Sequence, residues 1–319
     1  MSDIKLFRYT ITEAAELAGK SAAVEKAIQK LIESHMETFL GVRFLATEFG
    51  TGAKHRGRID SLGLDENGCP VIVEYKRHSN ENVMNQGLFY LDWLLDHKAD
   101  FRLLVMEKLG KDAAEKIEWN GTRLLCIAAD FTRYDEHAVV QINRNIELIR
   151  YKLFGPDLLL FELVNAVTAQ LVEMESSDAT QQSKPTKTPA PATLAMKNHA
   201  DQIASATPEL LALYEDARTL VLAQGDDILE KKLKLYVAFR RIKNFICMTL
   251  ISKEDPQVRL WLKLDPSTVE LEKGFTRDVT AVGHWGTGDL EVVLRTAADL
   301  NKAKSLARIF HESRSAESP

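Results

Sequence analysis

The most informative segment of this 319-residue chain reads Arg58-Ile59-Asp60-Ser61-Leu62-Gly63-Leu64-Asp65-Glu66-Asn67-Gly68-Cys69-Pro70-Val71-Ile72-Val73-Glu74-Tyr75-Lys76. Two apolar runs flank a polar turn that contains glycine, which is the pattern of a β-hairpin. With the turn centred near Asn67, Asp60 is predicted to face Glu74, and Lys76 to share the face of Glu74. Opposed carboxylates repel each other in an ordinary sheet. A bound Mg²⁺ ion takes one or two carboxylates as ligands and would offset this repulsion.

The hairpin strands are apolar on both faces, which is the pattern of a central sheet covered by helices on both sides. Helical spacing over residues 11–38 and 82–95 predicts helices before and after the hairpin, and residues 39–49 read as a strand that leads into it. Further helices are predicted at 103–116 and 137–142, and further strands at 123–129, 146–153 and 158–164. The first domain is therefore predicted to be α/β.

The order Asp, turn and Glu-x-Lys at the end of an apolar strand resembles the PD-(D/E)XK nuclease superfamily. Asp60, Glu74 and Lys76 stand in the matching positions, and Ile59 stands where many members carry proline. The sequence around both strands is most similar to that of the NucS-type endonucleases and other RecB-like nucleases. Residues 86–90, Gln-Gly-Leu-Phe-Tyr, fit the Gln-x-x-x-Tyr signature of that subgroup.

The resemblance implies a restriction-endonuclease-like α/β/α sandwich with a mixed central sheet. It also implies a site in which Asp60, Glu74, the carbonyl of Tyr75 and Glu33 of the first helix hold Mg²⁺ or Mn²⁺. In such a site Lys76 orients the attacking water or stabilises the developing charge. Gln86 and Tyr90 assist in positioning, so that the catalytic set is expected to be Asp60, Glu74, Lys76, Gln86 and Tyr90.

The function implied is metal-dependent hydrolysis of phosphodiester bonds, with DNA as the expected partner, in repair or in defence against foreign DNA. Two other classes stay open. The chain could be a nucleic-acid-binding or interaction protein on a nuclease fold that does not cut, or a transport-associated factor. Individual residues also have simpler interpretations: Glu33 as a solvated helix residue, and Tyr90 as a core residue capped by Gln86.

Composition sets broad limits on the class of protein. Hydrophobic residues make up 45% of the chain and charged residues 27%, as in soluble globular proteins, and no apolar run is long enough for a membrane span. No secretory signal is visible at the start, so a cytoplasmic location is expected. The net charge of −5 is not that of a strongly basic nucleic-acid protein, although Lys54, His55, Arg56 and Arg58 cluster before the motif. A homodimer is compatible with the sequence.

The predicted domains are residues 1–172, a linker at 173–208 that is rich in Ser, Thr, Gln and Pro, and a small α+β domain at 209–316. The last of these resembles an uncharacterised domain sometimes labelled a predicted transport protein. Its expected elements are helices at 210–222 and 300–310 and strands at 233–239, 245–251, 258–264 and 290–294. Tyr236, Arg240, Arg241 and Lys243, together with Trp285, are candidates for a basic and aromatic nucleic-acid surface.

Overall fold

The structure is a computed structural model that describes residues 4–52, 56–76, 83–167, 198–282 and 286–304. Within these ranges the chain forms a seven-stranded sheet and a six-stranded sheet. A separate two-stranded hairpin, β1 (Leu6–Tyr9) and β2 (Ala14–Leu17), precedes them. No helix in the described ranges is long and apolar enough to cross a membrane.

The N-terminal unit is a mixed sheet with helices on both faces. Its elements are β3 (Gly19–Lys20), α1 (Glu25–Ser34), α2 (Met36–Leu40), β4 (Val42–Gly50), β5 (Arg58–Asp65), β6 (Pro70–Lys76), α3 (Val83–Asp96), α4 (Lys98–Leu109), α5 (Lys111–Glu115), β7 (Arg123–Ala128), α6 (Arg133–Val140), β8 (Asn145–Phe154) and β9 (Leu158–Val167). The strand order is β3-β8-β7-β6-β5-β4, with β9 paired to β8. Among the strands that the structure describes in this sheet, the β6–β7 and β7–β8 pairs are parallel and the others antiparallel, so the predicted α/β class with a mixed central sheet is confirmed.

Two separate cores cover the two faces of this sheet. On one face, α1 and α2 pack through Ile28, Ile32 and Met36 against Val71, Val73 and Tyr75. On the other face, α3 and α4 pack against Leu62, Leu64 and Ile72. The apolar character of both strand faces is explained by these two layers of helices.

The predicted helix over residues 11–38 is wrong in its first half. Residues 14–17 and 19–20 are strands, and helix α1 begins only at Glu25. Gly19 and Lys20 pair with the end of β8, more than a hundred residues away in the sequence. Such non-local pairing overrides local helical spacing, and Val24, a member of the predicted stripe, is 56% exposed.

The C-terminal unit is an antiparallel sheet with helices packed on it. Its elements are α7 (His199–Ala204), α8 (Pro208–Leu222), β10 (Leu229–Lys232), β11 (Val237–Arg240), β12 (Asn244–Ile251), β13 (Gln257–Leu262), β14 (Thr276–Asp278) and β15 (Leu290–Leu294), followed by helical residues 297–304. Helix α7 lies inside the predicted linker. The Asn198 side chain caps its start by accepting from Asp201 N, so ordered structure begins before residue 209. Residues 168–197 lie outside the described ranges.

The C-terminal unit contacts the turn of the β5–β6 hairpin. Asn67 Oδ1 accepts hydrogen bonds from Tyr236 Oη at 3.0 Å and from Asn244 Nδ2 at 2.7 Å. Glu66 Oε2 accepts from Asn244 N at 2.9 Å. The predicted nucleic-acid surface is therefore wrong at Tyr236 and Arg240, which are buried in or beside this contact; Trp285 lies outside the described residues.

Candidate active site

The hairpin has the register that its sequence predicts. The Cα partners run from Leu64↔Pro70 to Ser61↔Val73, which brings Asp60 beside Glu74. Beyond Ser61↔Val73 the side chains take over the bonding between the strands. Asp60 N donates to Glu74 Oε1 at 3.2 Å, and Tyr75 N donates to Asp60 Oδ2 at 3.0 Å. The two carboxylates are thus part of the hairpin itself.

Burial and mutual repulsion raise the pKa of both carboxyl groups. The Glu74 side chain is fully buried, and this burial, followed by the nearby Asp60 carboxylate, raises the pKa of Glu74 to about 9. Burial also raises the pKa of Asp60, against the opposing effects of the Tyr75 N–H and Lys76. Glu74 Oε2 is buried without a hydrogen-bond partner among the described residues. A proton on Glu74, or a bound cation, would relieve this arrangement.

Lys76 meets a carboxylate that the sequence analysis did not single out. Lys76 Nζ lies 3.3 Å from Glu25 Oε1, in the first turn of α1, and only 13% of the Lys76 side chain is exposed. The negative charge of Glu25 also contributes to raising the pKa of both Asp60 and Glu74. The available signal was the series Glu25, Gln29 and Glu33, which at intervals of four residues forms a polar row on one helix face.

Glu33 lies against the neighbouring residue of the strand and not in the carboxylate pair. Its Oε1 accepts from Ser61 Oγ at 2.7 Å and from Gln29 Nε2 at 2.9 Å. Gln29 Nε2 also donates to the backbone oxygen of Asp60 at 2.9 Å. These contacts support the backbone that carries Asp60, while the role of Glu33 as a metal ligand stays a prediction.

Gln86 and Tyr90 hold the segment that precedes Asp60. Tyr90 Oη accepts from Gln86 Nε2 at 3.2 Å and from the backbone N–H of Arg58 at 3.1 Å. A Cβ atom on Gly57 would lie 2.5 Å from Tyr90 Cε1, so the tyrosine ring packs directly on this backbone. The structure brings both residues to the site as supports for the start of β5.

The donor set fits one Mg²⁺ ion of low protein coordination. Among the described residues, no group of three or more His, Cys, Asp or Glu residues is placed to hold a metal ion. Mg²⁺ keeps several waters and binds through one or two carboxylates, which Asp60 and Glu74 provide. The unsatisfied Glu74 Oε2 is the observation that favours a cation there. The Tyr75 phenol accepts from Ser61 Oγ at 3.2 Å, and the role of the Tyr75 carbonyl as a metal ligand stays a prediction.

The known proteins that this chain resembles have no described activity. Residues 199–308 match a family described as a domain of unknown function, DUF5655. An uncharacterized protein from Haemophilus influenzae is 26% identical over 308 residues, which is 96% of this chain and 98% of that protein. No solved structure matches the chain. The chain is thus similar to another protein over nearly its whole length, with both units included.

Proposed function

We propose that this protein is a divalent-metal-dependent nuclease that hydrolyses phosphodiester bonds in DNA. One observation carries the proposal: Asp60 and Glu74 are interlocked at the end of the hairpin, with one buried carboxylate oxygen left without a partner. An ordinary sheet does not gain from opposed buried carboxylates, because each raises the energy of the other's charge. In a site that binds a cation, the cation offsets the repulsion between the two carboxylates. The ion proposed is Mg²⁺ or Mn²⁺.

Each side chain then has a defined task. Asp60 and Glu74 bind the cation, and the Tyr75 N–H fixes the orientation of the Asp60 carboxylate. When bound, such a cation lowers the pKa of a coordinated water and polarises the phosphate. Lys76 donates to the attacking water or to the phosphate oxygens, and Glu25 holds the Lys76 ammonium in place at 3.3 Å.

The setting of the reaction belongs to the same proposal. We place it in the cytoplasm, in DNA repair or in defence against foreign DNA. Two basic residues near the start of β5 are engaged with the same acidic one, since Arg58 Nε lies 2.6 Å from Glu48 Oε2 and Lys26 also contacts Glu48. Arg58 is nevertheless exposed, so DNA phosphate can compete for its guanidinium.

The test is cleavage of DNA and RNA in several forms by purified protein with Mg²⁺, Mn²⁺ or EDTA. We expect cleavage that requires the metal and that is abolished by Asp60→Ala and by Glu74→Ala. Asp92→Ala, which removes an exposed carboxylate from α3, is the matched control and should leave the rate unchanged. Cleavage at the wild-type rate by either site variant would refute the assignment of the site.

A second candidate is a nucleic-acid-binding protein on the same fold that does not cut. It is favoured by the lack, among the described residues, of a third acidic ligand next to Asp60 and Glu74. This candidate predicts that DNA binds equally well with Mg²⁺ and with EDTA and stays intact in both. Binding and cleavage assays on the same samples therefore separate the two functions.

A further inference from the structure

A small cavity lies between the two units, far along the hairpin from the carboxylates. Its volume is about 20 Å³, which is enough for one water molecule or one monatomic ion. It is lined by Asp65, Asn67, Cys69, Gly121, Arg123, Asn145, Glu147, Leu229, Lys231 and Arg240. The last three come from the C-terminal unit, so both units build this cavity.

The charges that line the cavity do not balance. Three cations, Arg123, Lys231 and Arg240, face two carboxylates, Asp65 and Glu147. Both arginines and both carboxylates are at most 5% exposed, so solvent does not screen them. One positive charge is therefore left over at the cavity wall, on the partly buried Lys231, where it has no carboxylate of its own to compensate it.

The carboxylates are already occupied by other partners. Glu147 accepts from Arg123 Nη1 at 3.0 Å and from Arg240 Nη1 at 2.8 Å. Asp65 Oδ1 accepts the backbone N–H groups of Asn67 and Cys69, both at 2.8 Å. These two carboxylates balance the charges of the two arginines. The charge of Lys231 is left without a carboxylate that balances it.

Two donors at the cavity have capacity for a further acceptor. Arg123 Nε lies 3.2 Å from Asp65 Oδ2, but this contact lacks hydrogen-bond geometry, and the Nε atom is buried without a hydrogen-bond partner among the described residues. Lys231 Nζ donates to Asn145 Oδ1 at 2.9 Å. An ammonium group has three donors, so this bond uses only one of them.

We propose that the cavity is a halide site, occupied by chloride, which the Lys231 ammonium and Arg123 Nε hold between the two units. Chloride balances the third positive charge and fits a space that excludes polyatomic anions. The Cys69 thiol does not supply the missing negative charge, because burial raises its pKa well above the usual value. Burial also lowers the pKa of Lys231, which is the strain that a bound anion relieves.

Diffraction from crystals of the full chain grown in bromide tests occupancy directly. We expect an anomalous bromide peak in this cavity, within contact of Lys231 and Arg123. A water molecule there in place of bromide, or an empty cavity, would overturn the proposal. The result does not depend on whether the protein cleaves DNA.

Thermal unfolding in chloride and in gluconate at equal ionic strength tests the energetic role. A halide at ten times its dissociation constant raises the folded-to-unfolded ratio about elevenfold, while gluconate is too large to enter. Lys231→Met removes the excess charge and should abolish the difference between the two salts. Lys232→Met, at the exposed next position of β10, should retain it. An equal salt effect in wild type and Lys231→Met would show that surface screening alone is at work.

Discussion

At the scale of single residues, burial determines the chemistry of the proposed site. Glu74 is fully buried beside Asp60, and the Glu74 carboxyl takes a pKa of about 9 in the absence of a cation. In the unfolded chain the same group would ionise with the ordinary glutamate pKa of 4.5. The native state without metal thus holds a proton that the unfolded state releases, and folding and protonation are linked.

This linkage gives the first prediction, for protein treated with EDTA. Between pH 4.5 and about 9, the Glu74 contribution to the free energy of unfolding should fall by about 1.4 kcal/mol per pH unit, because the native state binds the additional proton. Glu74→Gln cannot release this proton. The free energy of unfolding of the variant should therefore increase relative to that of wild type as pH rises above 4.5, and the difference should be constant below pH 4.5. Urea unfolding across the pH range measures the difference. Parallel pH profiles for the two proteins would contradict the assigned burial.

A substitution of Lys76 distinguishes an effect on the cleavage step from an effect on Mg²⁺ binding. Lys76→Met retains the apolar stem and deletes the charge, so Asp60 and Glu74 should still bind Mg²⁺. A positioned acid/base or charge-stabilising group contributes about 10²- to 10⁴-fold, and the single-turnover cleavage rate should fall by that order. Glu25→Gln should give a smaller loss, since it only releases Lys76. Cleavage by Lys76→Met within a few-fold of wild type at saturating Mg²⁺ would remove Lys76 from the mechanism.

At the scale of elements, the hairpin is held at both ends by other parts of the fold. Helix α3 fixes one end through Tyr90, which bonds to the backbone of Arg58 just before Asp60. The C-terminal unit fixes the other end, where Asn67 in the turn accepts two of its hydrogen bonds. The position of the carboxylates therefore depends on side chains outside the hairpin.

Tyr90→Phe tests the support from α3. The change leaves the Arg58 N–H without its acceptor at a partly buried position, and losing a typical hydrogen bond costs about 0.5–1.5 kcal/mol. We expect a loss of stability in that range, together with lower Mg²⁺ affinity, because the start of β5 moves with Arg58. Tyr134→Phe is the matched control, since Tyr134 is 71% exposed. Unchanged metal affinity in Tyr90→Phe would show that the Asp60 carboxylate is positioned without this bond.

At the scale of the whole molecule, a buried charge network joins the two units. Glu147 of β8 is the centre of this network, because it accepts from Arg123 of its own unit and from Arg240 of the other. Lys231 and Asn145 add a further bond between the units. These groups are satisfied only when the units are docked, so we expect docking and folding to be coupled.

Glu147→Gln tests this coupling. The change removes the negative charge and leaves two buried arginines facing each other, and breaking a buried ion pair in this way typically costs about 3–5 kcal/mol. The control is Glu272→Gln, because the side chains of Glu272 and its partner Lys302 are both more than half exposed and the loss of this pair should be much smaller. Calorimetry should show a single unfolding transition in wild type and separated transitions in Glu147→Gln. Equal stability losses in the two variants would contradict the network.

The sequence by itself determined the local features of this protein. The position of the polar turn between two apolar runs set the hairpin register, and with it the meeting of Asp60 and Glu74. The buried strand at Arg123–Ala128 and the helix at Val83–Asp96 were predicted nearly to their ends. These features depend on neighbours within a few residues, or on one short turn, and such information is written directly in the chain.

Only the tertiary structure decided which distant residues complete the site and which surfaces are buried. Glu25 reaches Lys76 across 51 positions, and Arg240 reaches Glu147 across 93. Helical spacing singled out Glu33 of α1, but it did not show that Glu25 of the same helix meets the lysine. The basic and aromatic residues around Arg240 made it a candidate for nucleic-acid binding, although the contact with the N-terminal unit buries it. Such pairings depend on how whole elements pack, and the energy of that packing is not contained in any local window of sequence.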